Sequence, residues 1–147
     1  MRKLKRSLTI ITVLAALALL VSACDNTLDV FQVYSFDLVT LPVQESLKEG
    51  ETAEIRCTLI REGEYKDAKF FIRMFQSDGE GELKMDSGTV FQPNDLYPIA
   101  KTEFRLYYTS QCSEQQTIDV YIQDNFGQMV QKTFSFQNEN TDNKSSE

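Results

Sequence analysis

The sequence predicts an all-β fold class: a two-sheet sandwich of the immunoglobulin or fibronectin type with about seven strands, preceded by a lipoprotein signal peptide. Three observations support this prediction. Short segments that alternate apolar and polar residues recur about every ten residues. Clusters of Gly, Asp, Asn and Pro separate these segments. No stretch of the chain after the signal peptide has the periodicity of an amphipathic helix.

Residues 1–23 have the three parts of a secretory signal peptide, so we exclude them from the fold. A basic region is followed by an apolar run, Leu8 to Val21, and then by the small residues Ser22 and Ala23. The run is too short for a comfortable membrane span, which needs about 20 apolar residues. The basic residues are Arg2, Lys3, Lys5 and Arg6.

Cys24 directly follows the small residues, so the junction reads V-S-A-C. This junction resembles a bacterial lipobox, in which the cysteine thiol is acylated and becomes the mature N-terminus. Several acyl chains, at about 0.8 kcal/mol per buried CH2, anchor a protein stably. We therefore predict a lipid on Cys24 and a polar tether over residues 24–29. The alternative is a secreted cysteine that pairs in a disulfide. The predicted location is the cell envelope, with the outer membrane favoured and the leaflet left open.

The charge balance argues against direct contact with nucleic acid. The whole chain has a formal net charge of −7. Cleavage after Ala23 removes four basic residues and no acidic one, which leaves 22 acidic against 11 basic side chains. Binding to phosphates needs a Lys/Arg surface, and no basic run occurs after residue 6.

The rest of the chain is predicted to form one domain, residues 30–136, followed by a disordered polar tail, residues 137–147. Pro42 ends the first strand and favours an edge position, because proline donates no ladder hydrogen bond. The third strand is apolar on both faces apart from Arg73, which favours a central position. The predicted strands cover residues 30–41, 52–59, 68–76, 83–85, 89–91, 104–108, 117–124 and 128–136.

The clearest strand signal is the hairpin over residues 117–136, whose first arm alternates Ile and Val with polar residues. Asp124 and Gly127 suit the first and last positions of a type I turn, because the carboxylate can bond the backbone ahead and glycine tolerates positive φ. In contrast, the loop from Gln92 to Pro98 contains two prolines and is predicted to hold no regular structure.

The two cysteines of the domain fit a disulfide poorly. Cys57 lies on the inward face of the second strand, whereas Cys112 precedes Val120 by eight residues. That separation is about 26 Å of extended chain, and a bridge needs the two Cα atoms within about 7 Å. A free Cys57 in the core is favoured, although a disulfide remains an alternative because the envelope is oxidising.

No catalytic or metal-binding constellation is evident. The chain contains no histidine, which removes the commonest general base and metal ligand. Asp78, Glu80 and Glu82 lie in a glycine-rich turn, where they should be solvated. They also lack the residue order of a calcium loop. We therefore predict that the protein is not an enzyme and uses no cofactor or metal.

Outward-facing aromatic residues are the best candidates for a partner surface. Tyr107 and Tyr121 fall on the predicted outer faces of two strands, and Phe71 and Phe75 on that of a third. Aromatic side chains at a surface often mark partner contacts. The alternative is that they pair with one another across neighbouring strands.

Four segments resemble a known family. They read E-T-A-E-I-R-C (51–57), L-K-M-D-S-G-T-V-F-Q-P-N-D-L-Y-P (83–98), F-R-L-Y-Y-T-S (104–110) and Q-T-I-D-V-Y-I-Q-D-N-F-G-Q (116–128). In this order they are similar to the TraQ family of conjugal-transfer proteins, encoded by conjugative transposons of Gram-negative anaerobes. The resemblance spans the mature domain. It implies a small lipoprotein with an immunoglobulin-like sandwich, carried with the genes of a mating apparatus.

Two functions are compatible with these observations. The favoured one is an accessory structural component of the transfer apparatus. It would be anchored by Cys24 and would contact other components of the transfer machinery through strand edges or a face with Tyr107 and Tyr121. The alternative is an envelope lipoprotein that binds a glycan or peptidoglycan through the loop Gln92 to Pro98 and the same tyrosines.

Overall fold

The structure is a computed structural model that describes residues 33–138. These residues form two β-sheets and contain no helix, so the prediction of an all-β, two-sheet fold is confirmed. Within that range no helix is therefore available to cross a membrane. The predicted signal peptide, the tether with Cys24, and residues 139–147 of the tail lie outside the described residues.

Nine strands form within residues 33–138. The strands are β1 (Phe36–Thr40), β2 (Ser46–Leu47), β3 (Thr52–Arg61), β4 (Phe70–Asp78), β5 (Gly81–Met85), β6 (Tyr97–Ile99), β7 (Glu103–Ser110), β8 (Gln116–Asp124) and β9 (Met129–Asn138). One sheet has the order β1-β3-β7-β5, and the other has the order β2-β9-β8-β4-β6. The strand β1 therefore lies at an edge and β4 lies inside its sheet, as predicted from Pro42 and from the apolar faces of β4.

Long-range pairing explains where the strand predictions were wrong. Tyr97–Ile99 forms β6 inside the loop expected to be irregular, because it pairs with Phe70–Ile72 of β4. Gln137 and Asn138 continue β9 past the predicted domain end, because β2 pairs alongside them in parallel. The predicted hairpin of residues 83–85 and 89–91 is reduced to a single bridge, since β5 pairs mainly with β7.

The core lies between the inner faces of the two sheets. Burial alternates along β3, β7 and β8, and the inward Ile118, Val120 and Ile122 of β8 have no solvent-accessible surface. Full burial of each such side chain contributes about 1.5–3 kcal/mol relative to an exposed one. The hydrophobic effect therefore fixes which side of each strand faces solvent.

The turn between β8 and β9 has the predicted chemistry. Asp124 Oδ1 accepts hydrogen bonds from the backbone N–H groups of Phe126 at 2.9 Å and Gln128 at 2.8 Å. Gly127 has a φ of 94°, a left-handed conformation that glycine adopts without steric cost. The Gln128 amide also donates to the backbone oxygen of Tyr34 at 2.9 Å, so the turn holds the start of the described chain.

A buried polar cluster joins the two sheets at the end of β8 opposite the Asp124 turn. The Tyr108 ring stacks on Phe136 with the ring centroids 5.1 Å apart. Its hydroxyl donates to Gln116 Oε1 at 2.9 Å and accepts from Gln76 Nε2 at 3.0 Å. Gln116 in turn donates to Ser110 Oγ at 2.8 Å. Because Tyr108, Gln116 and Ser110 are buried, their polar groups depend on partners inside the protein.

Both cysteines of the described range are free, so the preference for an unpaired Cys57 is confirmed. Cys57 is 3% exposed, and burial raises the pKa of its thiol to about 12. It therefore behaves as a small core residue.

We expect Tyr108→Phe to lower the free energy of unfolding by about 1–3 kcal/mol, because it leaves the buried Oε1 of Gln116 without the hydroxyl that donates to it. The matched control is Tyr107→Phe, the same chemical change on the adjacent, outward residue, which should have little effect. Urea denaturation of both variants tests this. Equal stability of the two variants would contradict a role for the buried cluster.

Candidate partner-contact surface

The four candidate aromatic residues do not share one face. Tyr107 lies on the outer face of the four-stranded sheet, level with Glu54 and Lys84 on the neighbouring strands. Tyr121 lies on the outer face of the five-stranded sheet, together with Phe71 and Phe75 of β4. The expected joint face of Tyr107 and Tyr121 is therefore wrong, because the chain passes from one sheet to the other between β7 and β8.

The other three aromatic residues surround an arginine. Arg73 lies between Phe71 and Phe75 on the outward side of β4, and its direct neighbour on β8 is Tyr121. The sulfur of Met129, at the start of β9, contacts the guanidinium group of Arg73. We call these five residues the aromatic-arginine patch.

Ring contacts hold the centre of the patch together. Phe75 and Tyr121 meet edge to face, with their ring centroids 5.7 Å apart. Arg73 Cζ lies 5.4 Å from the centroid of Tyr121 and 5.9 Å from that of Phe75, within cation–π range. Despite these contacts, Phe75 is 37% exposed and Met129 is 52% exposed. The patch therefore combines rings that pair across strands with apolar surface that faces solvent.

Within residues 33–138, Arg73 has no charged partner. Its Nη1 donates to Asn94 Oδ1 at 3.3 Å, and its Nη2 contacts Met129 Sδ at 3.4 Å. Its buried Nε has no hydrogen-bond partner among the described residues. The three other arginines of residues 33–138 each form an ion pair with Glu54 or Glu64. The charge of Arg73 is thus left without a counterion in the described part of the chain.

Sequence reasoning missed Arg73 and Asn94 as parts of the site. Arg73 is the charged residue within the apolar run of this strand. Its alternation with Phe71 and Phe75 indicates that the three side chains share one face. Asn94 gave no such signal. It adopts a φ of 68°, and its N–H donates to Met74 O at 2.9 Å, which brings its side chain to Arg73.

The sequence profile of the TraQ conjugal transfer protein family matches residues 7–139. The chain belongs to this family. A lipoprotein from Bacteroides thetaiotaomicron, solved by NMR, is 56% identical, with 78% of this chain and 88% of that chain covered and a TM-score of 0.67.

Two further solved structures are similar to this TraQ-family chain. A conjugative transposon lipoprotein from Bacteroides eggerthii is 41% identical, covering 71% of this chain and 98% of that one, with a TM-score of 0.67. A conjugate transposon protein from Bacteroides vulgatus is 40% identical, covering 83% and 99%, with the same TM-score. Comparison with curated proteins finds no match. Neither the family description nor these names mention an enzymatic activity.

Next to the patch, the outer face of this TraQ-family sheet becomes polar around Asp119. Its carboxylate accepts hydrogen bonds from the hydroxyls of Ser77 and Thr133, the latter at 2.6 Å, and from Gln131 Nε2 at 3.0 Å. These bonds, with Ser77 first, hold the pKa of Asp119 below its ordinary value. Three neutral donors thus satisfy the Asp119 carboxylate within the sheet.

The outer face of the four-stranded sheet has a different character. Glu54 Oε1 lies 2.9 Å from Arg56 Nε and 3.3 Å from Arg105 Nε. Exposed pairs of this kind contribute little to stability, but they neutralise the charges locally. Among residues 33–138, no three His, Cys, Asp or Glu side chains come together as a metal site, and this includes the turn with Asp78 and Glu80.

We expect Asp119→Asn to weaken the pH dependence of stability in acid. The native pKa of Asp119 is lowered, so its stabilising contribution is present above the ordinary aspartate pKa and is lost as the pH falls through the native pKa. Urea midpoints measured from pH 7 down to pH 2 should therefore fall less steeply in the variant.

The control is Asp95→Asn in an exposed loop, which should keep the steep acid decrease of the parent protein. A profile for Asp119→Asn that superimposes on the parent profile would show that its hydrogen bonds do not contribute.

Proposed function

We propose that this protein is a lipoprotein, anchored to a bacterial envelope membrane through Cys24, that serves as a non-enzymatic accessory component of a conjugative transposon's transfer apparatus. Membership of the TraQ family supports the association with conjugal transfer. The V-S-A-C junction and the similarity to structures described as lipoproteins support the anchor. The outer membrane is the favoured location.

The strand order supports an immunoglobulin-like sandwich as the scaffold. Constant-type immunoglobulin domains place strands A, B, E and D in one sheet and C, F and G in the other. Here β1, β3, β7 and β5 take the first four places, and β4, β8 and β9 take the other three. The short β2 and β6 lie at the two margins of the second sheet. Such scaffolds host many functions, so the function rests on the surface.

Strand addition at the β1 edge is disfavoured. Leu38 of β1 lies directly opposite Leu59 of β3, and Leu59 donates its N–H to Thr102 O on the β7 side. Two opposite residues of an antiparallel pair exchange both of their hydrogen bonds or neither, so the N–H of Leu38 also points away from β3. Asp37 Oδ1 accepts that N–H at 2.8 Å. The same oxygen lies 3.8 Å from Lys132 Nζ on β9. A partner strand would therefore have to displace a carboxylate before it could pair with β1.

Strand β2 covers β9 only at Gln137 and Asn138, and the rest of the β9 edge has its own obstruction. Lys132 stands directly opposite the buried Val120, so its side chain points to the inner side of the sheet. An inward-pointing charge on an edge strand opposes the addition of another strand, because that strand would bury the ammonium group.

The remaining two margins are also closed. Along β5, the N–H of Phe91 donates to Leu83 O and the N–H of Met85 donates to Thr89 O, both at 2.9 Å. Strand β6 has three residues, and its middle residue is Pro98, which donates no hydrogen bond. Contact through strand edges, one of the two modes expected from the sequence, is therefore the weaker one.

The aromatic-arginine patch is the single observation that carries the proposed contact. It joins exposed apolar surface to an arginine without a counterion on the outer face of the five-stranded sheet. Aromatic residues, methionine and arginine are the residue types enriched at protein interfaces. We therefore assign contact with other transfer components to this patch.

No observation favours the glycan-binding alternative. Tyr107 and Tyr121 lie on opposite outer faces, so they cannot form one sugar platform. In the loop, the Tyr97 hydroxyl accepts the N–H of Gln92 at 2.9 Å, and the Tyr97 ring packs against Phe91. That loop therefore uses its aromatic residue to hold its own conformation.

We expect the mature N-terminus to be an acylated Cys24, because the thiol at the end of a lipobox is the acyl acceptor. Mass spectrometry of the N-terminal peptide from the membrane fraction tests this. Cys24→Ser should leave the protein unacylated and release it from that fraction, whereas Cys112→Ser should change neither property. An unmodified N-terminus upstream of Cys24 would refute the anchor.

We expect the double variant Phe75→Ser, Tyr121→Ser to reduce the transfer frequency of the transposon at least about tenfold, because it removes two aromatic side chains from the centre of the proposed contact. The measurement is a mating assay in a strain whose own gene is deleted. Immunoblots should find the variant at parental abundance in the membrane fraction.

The matched control is Tyr107→Ser, an outward tyrosine on the opposite sheet, which should support normal transfer. Unchanged transfer after complete deletion of the gene would refute the proposed function. If Tyr107→Ser lost transfer and the double variant did not, the contact would be on the outer face of the four-stranded sheet.

A further inference from the structure

We propose that the aromatic-arginine patch is a receptor for a carboxylate: the partner presents an acidic side chain with apolar neighbours, and Arg73 binds it. This inference rests on the proposed function, because it names the partner chemistry of the same face. Four features of the patch support it.

The first feature is that the present partners of Arg73 are weak. Its Nη1 has a neutral amide oxygen at 3.3 Å and its Nη2 has a thioether sulfur at 3.4 Å. A carboxylate forms shorter, charge-assisted bonds of about 2.7–2.9 Å and can engage two guanidinium nitrogens at once. A carboxylate that binds Nη2 would therefore displace only a thioether sulfur, that of Met129, from this nitrogen.

The second feature is preorganisation. Arg73 lies inside β4, where it pairs with Tyr121 of β8, and the rings of Tyr121 and Phe75 confine its guanidinium group. A free arginine loses rotamer entropy when it binds, whereas a confined one has already lost much of it. The rings attract the cation but do not cancel its charge, so the positive charge remains available to an anion.

The third feature is the apolar rim. Phe75 and Met129 are exposed on either side of Arg73, and Phe71 is half-buried two residues along the same strand. A carboxylate that arrives with apolar neighbours would bury these side chains and exclude water from the ion pair. Partial desolvation strengthens the attraction between the charges.

The fourth feature is the electrostatic setting. Asp119, the acid nearest to Tyr121 along β8, accepts hydrogen bonds from Ser77, Thr133 and Gln131, and it forms no ion pair with Arg73 among the described residues. The whole chain carries a net charge of −7, which repels polyanions. An isolated carboxylate among apolar groups therefore fits this face better than a nucleic acid or an anionic lipid surface does.

The test uses the full chain in detergent micelles and two peptides that differ in one group, acetyl-Phe-Glu-Leu-amide and acetyl-Phe-Gln-Leu-amide. Both peptides offer the same apolar neighbours, and only the first carries a charge. NMR titration should show the Glu peptide shifting the Nε–Hε signal of Arg73 and the amide signals around Tyr121. The Gln peptide should bind about tenfold more weakly or worse, and the Arg105 signal should not move.

Two variants of Arg73 distinguish an effect of the guanidinium group from an effect of positive charge alone. Arg73→Gln should abolish the difference between the peptides, whereas Arg73→Lys should reduce it, because an ammonium group lacks the planar fork. Arg105→Gln, on the opposite sheet, should leave the difference intact. Equal affinity of the parent protein for the two peptides, or a difference that survives in Arg73→Gln, would overturn the proposal.

The mating assay distinguishes this inference from the function on which it rests. If the Phe75 and Tyr121 variant loses transfer but the peptides bind equally, the patch is a contact surface and the carboxylate assignment is wrong. If the peptides differ as expected but Arg73→Gln transfers normally, the receptor chemistry is supported and its use in conjugation is wrong.

Discussion

The register between β4 and β8 is the constraint on which both the core and the patch depend. Ile72 and Met74 face inward opposite Ile122 and Val120, and all four are buried. The same pairing sets Arg73 opposite Tyr121 on the outer side. Because side chains alternate with a period of two, a shift of one residue would exchange the two faces of the strand. The burial of aliphatic side chains therefore positions a surface in which they take no direct part.

The two outer faces differ because their charges are compensated differently. On the four-stranded sheet, Glu54 pairs with two exposed arginines, Arg56 and Arg105. On the five-stranded sheet, Arg73 is held by rings and by neutral groups. Within residues 33–138, the two outer faces therefore differ in whether their arginines have an acidic partner.

Much of the fold could be predicted from local pattern. Alternation predicted most strands, and Asp124 and Gly127 predicted the turn, because these signals act within a few residues. The sheet to which a strand belongs is not a local property. For this reason Tyr107 and Tyr121 were expected on one face, although they belong to different sheets. Strand β6 was also not predicted, since it forms because β4 pairs with it. Of the patch, Phe71, Phe75 and Tyr121 were predictable as outward aromatic residues. The role of Arg73 was not, since a missing counterion is visible only when all neighbours are known.

The closed sheet margins have a consequence for the proposed anchoring of this protein to a membrane. Confinement to a surface raises the frequency with which identical copies meet, and open β-edges at high density tend to assemble into fibrils. The lysine of β9 that reaches Asp37, the strand segment that covers β5 and the proline of β6 all oppose such assembly. Crowded copies would then remain separate molecules, each with its outer sheet face free for a different neighbour.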